Sequence, residues 1–306
     1  MGLLERFRAA RPRLSANQRS IAEFILERPE DCAFLTAGEL GRRVGVSEST
    51  VVRFAVAVGF AGYPELQRTL RDELKRRLTT VERLQARREE LAGPADSLRA
   101  VWENDINNIH RTFRSMPRED FERAVNLLAQ ARRVYVIGLR TSACVALLLT
   151  TALQYLGKEA VRVDLGIGDF WDRLDMAGPG DVVVGISVPR YTRWTTEMVR
   201  FARAKGAVAI ALTDSPVSPL AELCDVLLPV ATDFNSVVES FVAPLSVANA
   251  LILGVAMSDE AGSLAALRRR EALWESQQLY EESRTAGRGD GIARGFAGEQ
   301  RLMPSM

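Results

Sequence analysis

Apolar residues recur every three or four positions along residues 1–91, the spacing that places them on one face of a helix. Ile21, Phe24 and Ile25 form such a face in a helix for which Ser15 supplies an N-cap hydroxyl. The same stretch contains no run of β-branched residues typical of a strand. The pattern therefore predicts that this part of the chain is all-α.

Two short helices follow in close succession, and the residues at their ends define them. Thr36 and Glu39 have the spacing of a capping box, which predicts a helix over residues 37–44, and a glycine follows as a stop signal. Ser47 then caps a second helix that extends to about Val58. A tight turn between two short helices, the second opening with small polar residues, is typical of a helix-turn-helix.

After Pro117 short β-branched runs alternate with helical segments, so the structural class changes. Each predicted strand is an almost continuous apolar run, which is typical of a parallel sheet with helices on both faces. We therefore expect a doubly wound α/β domain. The predicted strands cover residues 133–138, 160–164, 181–187, 207–213 and 226–230, and the predicted helices cover residues 142–156, 169–176, 193–205, 219–223, 236–258 and 263–282.

Composition shifts divide the chain into five parts. The segment between the two predicted domains is charged and broken at Gly93, Pro94 and Pro117, and we predict a linker with one helix over residues 96–115. Closely spaced glycines among charges indicate a flexible tail. The predicted parts are a helix-turn-helix domain (1–77), a helical linker (78–118), an α/β domain (119–258), a C-terminal helix (259–284) and the tail (285–306).

Charge is unevenly distributed along the chain of 306 residues. Residues 1–77 contain 14 basic and 10 acidic residues, a local net charge of +4, against +1 for the whole chain. This excess predicts an anionic partner for the helical domain. Arginine supplies 37 of the 40 basic residues, and its planar, permanently charged guanidinium suits phosphate and carboxylate groups.

The same composition excludes several classes of protein. The longest apolar run, residues 241–257, is interrupted by proline and polar residues, and no signal sequence is present, so we predict a cytoplasmic protein without a membrane span. The three cysteines lack CxxC spacing, which argues against a metal site, and we predict that they are small core residues. No cofactor is predicted. The lone histidine, His110, lies in the linker, which disfavours histidine-based catalysis.

The second short helix carries the chemistry of a DNA reader. Ser47, Ser49 and Thr50 at its start are short hydroxyl donors that can approach phosphates closely. Thr36, which begins the preceding helix, is included in the predicted DNA-binding set. Arg53 follows one turn after Thr50 on the outward side, within reach of a guanine edge or a phosphate. The alternative interpretation is a capped amphipathic helix in an unrelated helical bundle.

Adjacent motifs in this half are more specific than the helix-turn-helix pattern. T-V-V-R-F at residues 50–54 is followed by G-F-A-G-Y at residues 59–63, and T-A-G-E-L-G precedes both at residues 36–41. Together they resemble the N-terminal domain of RpiR/MurR-type bacterial transcriptional regulators, over residues 1–77. The resemblance implies that this domain binds double-stranded operator DNA, that the protein is a homodimer or homotetramer, and that a sugar-isomerase-like (SIS) domain follows.

Three motifs in the α/β half occupy loops after predicted strands. They are G-L-R-T-S at residues 138–142, S-V-P-R-Y-T at residues 187–192 and T-D-S-P-V-S-P-L-A-E-L-C-D at residues 213–225. They are similar to the motifs of SIS domains, which implies a phosphosugar or sugar-acid effector bound where hydroxyls meet free backbone N–H groups. The predicted ligand-binding residues are Gly138, Arg140, Thr141, Ser142, Ser187, Arg190, Tyr191, Thr192 and Glu239.

Two arginines depart from the SIS pattern. Arg140 stands at the second glycine of the first motif, and Pro189 and Arg190 stand at the serine-glycine pair of the second. We hypothesise that Arg140 and Arg190 bind the anionic group of the ligand through bidentate hydrogen bonds. The alternative is that one or both pair with acidic residues across a dimer interface.

The predicted function is a DNA-binding transcriptional regulator whose SIS domain senses an anionic sugar, and two alternatives stand beside it. A sugar-phosphate isomerase with an accessory N-terminal domain needs a base, and Glu239, at the start of the predicted helix over 236–258, would act largely alone. The other alternative is a regulator whose SIS domain serves only for dimerisation.

Overall fold

In a computed structural model of the chain, which describes residues 3–77, 79–90, 93–234 and 237–281, helices in the N-terminal part pack around one apolar core. Ile21, Leu40 and Phe54 are completely buried in that core. The all-α prediction for this half is confirmed. Its helices are α1 (Leu3–Ala10), α2 (Ala16–Glu27), α3 (Pro29–Cys32), α4 (Ala37–Val44), α5 (Glu48–Ala57) and α6 (Tyr63–Arg77).

The linker contains two helices where one was predicted. They are α7 (Thr80–Glu90) and α8 (Pro94–Ser115). The Thr79 hydroxyl accepts a hydrogen bond from the Glu82 N–H, and the Glu82 carboxylate accepts one from the Thr79 N–H, so a capping box starts α7. The prediction of one helix over residues 96–115 missed this signal because the segment is mostly charged and lacks a wide apolar stripe.

The described residues of the C-terminal part form a parallel sheet in the order β2-β1-β3-β4-β5. Val134 of β1 aligns with Ala160 on one side and Val182 on the other, so β1 lies inside the sheet. The predicted doubly wound α/β class is confirmed, and the strand order reverses between β1 and β3, which creates a topological switch point. The strands are β1 (Val134–Gly138), β2 (Ala160–Val163), β3 (Val182–Ile186), β4 (Val208–Thr213) and β5 (Val226–Pro229).

Helices cover both faces of this sheet, and each face has its own apolar core. Val136 of β1 packs into one core and its neighbour Ile137 into the other, because successive strand residues point to opposite faces. The first core lies under α9 (Arg118–Gln130), α10 (Ala143–Tyr155) and α13 (Val242–Ser258), and the second under α11 (Phe170–Asp175) and α12 (Arg193–Ala204).

Three predicted helices differ from the observed ones. Residues 219–223 contain only a short 3-10 turn, Ala221–Leu223. The long helix predicted over 236–258 begins at Val242, because Pro244 is tolerated in the first turn of a helix and not in its interior. The last described helix is α14 (Glu260–Ser276), shorter than predicted, since the chain turns at Gln278, where φ is +51°.

Other predictions have mixed outcomes. Cys32 is buried and Cys224 is half-buried, but Cys144 is exposed at the start of α10, so the core prediction was wrong for Cys144. His110 is exposed on α8. In the described ranges no single helix is long and apolar enough to cross a membrane, while α13 and α14 meet that criterion only together and are bent by 108°. The tail over residues 285–306 lies outside the described residues.

Candidate functional sites

Helices α4 and α5 and the turn between them form the predicted helix-turn-helix. Gly45 adopts the left-handed conformation with φ +82°, and its N–H donates to the Gly41 carbonyl at 2.9 Å. A side chain at Gly45 would be strained at this φ, so glycine suits the turn. Val51 and Phe54 are buried, which directs the opposite side of α5 outward.

The start of α5 gathers the hydroxyl groups that the sequence singled out. The Ser47 hydroxyl accepts a hydrogen bond from the Thr50 N–H at 3.3 Å and lies 3.0 Å from the Ser49 hydroxyl and 2.8 Å from that of Thr50. Arg53 is exposed, and its guanidinium reaches the Thr50 hydroxyl at 3.5 Å. A helix N-terminus with small hydroxyls and an exposed arginine one turn later provides donors for phosphate oxygens and base edges.

Thr36 occupies a different place from the other predicted DNA-binding residues. It caps α4, and its hydroxyl donates to the Glu39 carboxylate at 2.7 Å while accepting from the Glu39 N–H at 3.2 Å. The Thr36 backbone N–H also donates to this carboxylate at 2.7 Å, and this bond together with the one from the Thr36 hydroxyl lowers the pKa of Glu39 below its ordinary value. The Thr36 hydroxyl is therefore engaged in the cap of α4.

The outer face of α5 also exposes two valines that sequence reasoning did not select. Val52 and Val56 are 40% and 56% exposed and lie one turn apart, on either side of Arg53 in the sequence. Apolar side chains in the major groove can contact the thymine methyl group. The sequence contained a signal for the exposed position of Val52. Adjacent residues of a helix point in different directions, so Val51 and Val52 cannot both face the core of the domain.

The second candidate site lies at the switch point of the sheet, beyond the carboxyl ends of β1 and β3. Gly138 ends β1, and a Cβ atom there would lie 2.7 Å from the Ser142 carbonyl oxygen, so glycine allows the chain to turn tightly into α10. Ser187 follows β3, and its hydroxyl accepts a hydrogen bond from the Thr192 N–H at 3.3 Å, just before α12. The sequence motifs thus meet at one edge of the sheet.

A cavity of about 440 Å³ opens at this edge. Its volume falls within the range of small-molecule sites. Among the described residues in its lining, three arginines stand against one glutamate, which favours an anionic occupant. The lining consists of Thr80, Arg83, Leu139, Arg140, Thr141, Ser142, Val188, Pro189, Arg190, Tyr191, Thr192, Val237, Val238 and Glu239.

The two arginines that depart from the SIS pattern line this same cavity. Arg140 is exposed, has φ +55°, and its side chain forms no hydrogen bond or ion pair with any residue that the structure describes. Arg190 is exposed, and its Nη1 donates to the Thr80 hydroxyl at 3.4 Å. Tyr191 lies on the cavity wall, where its hydroxyl donates to Asp214 at 2.8 Å. Both arginines therefore line one cavity.

Glu239 lies in the loop before α13 and not on the helix where it was predicted. Its Oε1 is 2.6 Å from Nη1 of Arg83, and the two side chains are only 10% and 3% exposed. Sequence reasoning missed Arg83 and Thr80 because they belong to α7, a helix that was not predicted. The capping box at Thr79 and Glu82 would have revealed the helix, although not its position over the cavity.

Comparison with known proteins identifies the two domains that carry these candidate sites. Residues 1–77 match the helix-turn-helix domain of the rpiR family, and residues 127–254 match the SIS domain. The transcriptional regulator HexR of Pseudomonas aeruginosa is 32% identical over 260 residues, which cover 83% of this chain and 89% of the relative. The chain belongs to the RpiR family. HexR of Escherichia coli is 29% identical over 287 residues, covering 90% of this chain and 96% of the relative.

Two solved structures are similar to this chain in fold. The sugar isomerase domain of an RpiR transcription factor from Sphaerobacter thermophilus is 34% identical, with a TM-score of 0.55, over 56% of this chain and 97% of that one. The Vibrio vulnificus NanR protein complexed with ManNAc-6P is 21% identical, with a TM-score of 0.57, over 92% of this chain and 100% of that one, and shares the fold. The chain is thus a transcriptional regulator of the RpiR family with a SIS domain.

Proposed function

We propose that this regulator binds operator DNA through α5 and senses a phosphorylated sugar or a related sugar acid in the switch-point cavity. The observation that carries the proposal is the convergence of Arg140 and Arg190, which the sequence separates widely, on one cavity that Ser142 and Thr192 also line, whereas Gly138 and Ser187 lie outside its lining. Guanidinium groups bind phosphate and carboxylate oxygens by paired hydrogen bonds. Their location favours the ligand role over the alternative role at a dimer interface.

The chemical class of the effector has independent support. The NanR protein that shares this fold is complexed with ManNAc-6P, a phosphorylated sugar. The Ser142 and Thr192 hydroxyls lie directly before α10 and α12, and the N-terminus of a helix favours a bound anion. We propose that these donors and the arginines replace the backbone contacts of the usual SIS pattern.

The DNA-binding role rests on the outer face of α5. Ser49, Val52, Arg53 and Val56 all point away from the core of the domain, and together they offer a hydroxyl, a cation and two apolar groups to the major groove. The inward-facing residues of α5, Val51 and Phe54, are buried in the core of the domain, so the outer face can contact DNA without any unfolding. Operator affinity should fall steeply with salt because phosphate contacts contribute strongly.

We propose a homodimer as the functional unit, formed through α8. This helix exposes apolar side chains with coiled-coil-like spacing of four, four, three and four residues along one face. An apolar stripe of this length is unusual for a surface without a partner, and two DNA-reading heads match two half-sites. The stripe consists of Leu98, Trp102, Ile106, Ile109 and Phe113.

The isomerase alternative is less well supported by the cavity. It requires Glu239 as the base, but Oε1 of this residue is held 2.6 Å from Arg83. That oxygen would have to leave its ion pair before it could take a proton from a substrate carbon. Turnover between ketose and aldose phosphates that disappears in Glu239→Gln would favour the isomerase.

The proposed function is tested by combining DNA binding with effector binding on the full chain. The DNA upstream of its own gene is titrated by fluorescence anisotropy with and without glucose 6-phosphate, 6-phosphogluconate and gluconate. We expect specific binding that at least one phosphorylated compound changes, with loss of that response in Arg140→Ala and Arg190→Ala. Unaltered DNA binding with every compound, together with no heat of binding in calorimetry, would reject the sensor role and favour a SIS domain used for dimerisation.

A further inference from the structure

Helix α7 forms part of the cavity wall although it belongs to the linker. It begins at Thr80, three residues after Arg77, where α6 ends. Helix α6 is the last helix of the helix-turn-helix domain. Thr80 and Arg83 both line the cavity, and the Arg190 guanidinium donates to the Thr80 hydroxyl at 3.4 Å. A side chain on the DNA-binding side of the linker therefore reaches the candidate effector site.

Arg83 is buried in a way that leaves part of its hydrogen-bonding capacity unused. Its side chain is 3% exposed, its Nη1 lies 2.6 Å from Glu239 Oε1, and its guanidinium lies 4.4 Å from the centre of the Phe234 ring. Its Nε forms no hydrogen bond with any residue that the structure describes. Buried polar groups without partners are rare, and such donors are found where a ligand or water completes the site.

We propose that Arg83 is a ligand-binding residue that donates its Nε–H to the anionic group of the effector. Glu239 is then the internal anion that holds Arg83 when the cavity is empty, and its charge opposes the incoming effector. Occupancy of the cavity bears directly on α7 and, through it, on the placement of the DNA-reading helices. This inference rests on the proposed effector function and assigns to that site a residue from outside the SIS domain.

The roles proposed for Arg83 and Glu239 predict effects of opposite sign. Arg83→Gln removes a charged donor and should weaken binding of an anionic probe about tenfold or more. Glu239→Gln removes the competing charge and should strengthen it severalfold. A purely structural ion pair predicts instead that both substitutions act in the same direction, because each breaks the same contact. The matched control is Arg88→Gln, an exposed position on the same helix.

The experiment is calorimetric titration of the full chain with inorganic phosphate, glucose 6-phosphate and 6-phosphogluconate. Weaker binding in Arg83→Gln, tighter binding in Glu239→Gln and no change in Arg88→Gln support the proposal. Wild-type affinity in Arg83→Gln, or equal losses in Arg83→Gln and Glu239→Gln, overturns it while leaving the effector function intact. Failure of every probe to bind the wild-type protein overturns the effector function and this inference with it.

A second variant and a second readout guard against a folding defect. Arg83→Lys retains the charge next to Glu239 but has no Nε–H donor, so it should fold and still bind the probe more weakly than the wild type. At saturating probe, the operator affinity of the wild-type protein should change and that of Arg83→Gln should not. An identical response of operator affinity in both proteins would overturn the coupling through α7.

Discussion

Arg132 and Asp181 form a bidentate ion pair at the amino ends of the strands, opposite the cavity. Arg132 Nε donates to Asp181 Oδ1 at 2.9 Å, and Nη2 donates to Oδ2 at 2.7 Å. The Asp181 side chain is completely buried and also accepts a hydrogen bond from the Gly178 N–H at 3.0 Å. The pair joins the segments that enter β1 and β3, so it supports the strands whose far ends build the cavity.

Asp181→Ala should therefore destabilise the protein without removing any cavity residue. The substitution leaves the buried Gly178 N–H without its acceptor while water can solvate the exposed Arg132, and we expect a loss of about 2 kcal/mol in the free energy of unfolding. The control is Asp175→Ala, where an exposed carboxylate pairs with Lys205 and the loss should stay below about 1 kcal/mol. Chemical denaturation measures both, and equal losses would contradict the role assigned to Asp181.

Arg53 should contribute directly to operator binding. It is exposed on the outer face of α5, so Arg53→Ala removes a guanidinium without disturbing the core. We expect operator affinity to fall about tenfold or more, and the slope of affinity against salt to decrease by about 1 if the contact is to a phosphate. Arg118→Ala, at a side chain that is 90% exposed at the start of α9, is the control for net charge and should bind DNA like the wild type.

Arg140 should trade stability for anion binding. Its backbone has φ +55°, a conformation that costs a residue with a Cβ atom about 1 kcal/mol relative to glycine. Arg140→Gly should therefore be about 1 kcal/mol more stable than Arg140→Ala, while both bind a phosphorylated sugar more weakly than the wild type. Thermal unfolding and calorimetry measure the two effects. Equal stability of the two variants would show that the backbone at this position is unstrained.

The apolar stripe of α8 should determine the oligomeric state. Trp102 and Phe113 are 61% and 83% exposed, and replacing either with aspartate places a charge in the proposed dimer contact. We expect Trp102→Asp and Phe113→Asp to shift the protein to a monomer in sedimentation analysis and to weaken operator binding. The control is Ile167→Asp, which changes a 92% exposed side chain outside α8 and should leave the mass of the oligomer in solution unchanged. A dimer that persists in both α8 variants would place the interface on another surface.

The capping box of α4 should make part of the stability depend on pH. Hydrogen bonds from Thr36 lower the pKa of Glu39, so the ionised carboxylate stabilises the folded state above the ordinary glutamate pKa. That contribution is lost as the pH falls through the lowered pKa. The difference in unfolding temperature between the wild type and Glu39→Gln should be largest near neutral pH and should shrink in acid. A constant difference across this range would mean that the charge of Glu39 is unimportant.

The location of each motif within its element was predictable from sequence, because the signals that fix it are local. The hydroxyls of Ser47 and Thr36 act on N–H groups three residues away, so their caps could be recognised directly. The apolar runs of the strands likewise predicted a parallel sheet before its order was known. The loop before α13 and helix α7 were exceptions: the meaning of Pro244 depends on where its helix begins, and the capping box of α7 lies in a charged segment without a wide apolar stripe.

The sequence by itself thus determined a helix-turn-helix domain, a doubly wound α/β domain and arginines at two motif positions of the SIS pattern. Only the tertiary structure brought Arg140 and Arg190 to one cavity and laid α7 across it, so that Arg83 meets Glu239. The physical reason is range. Helix caps and side-chain periodicity involve residues only a few positions apart, so they can be recognised in the sequence. A cavity depends instead on how elements far apart in the chain pack against one another.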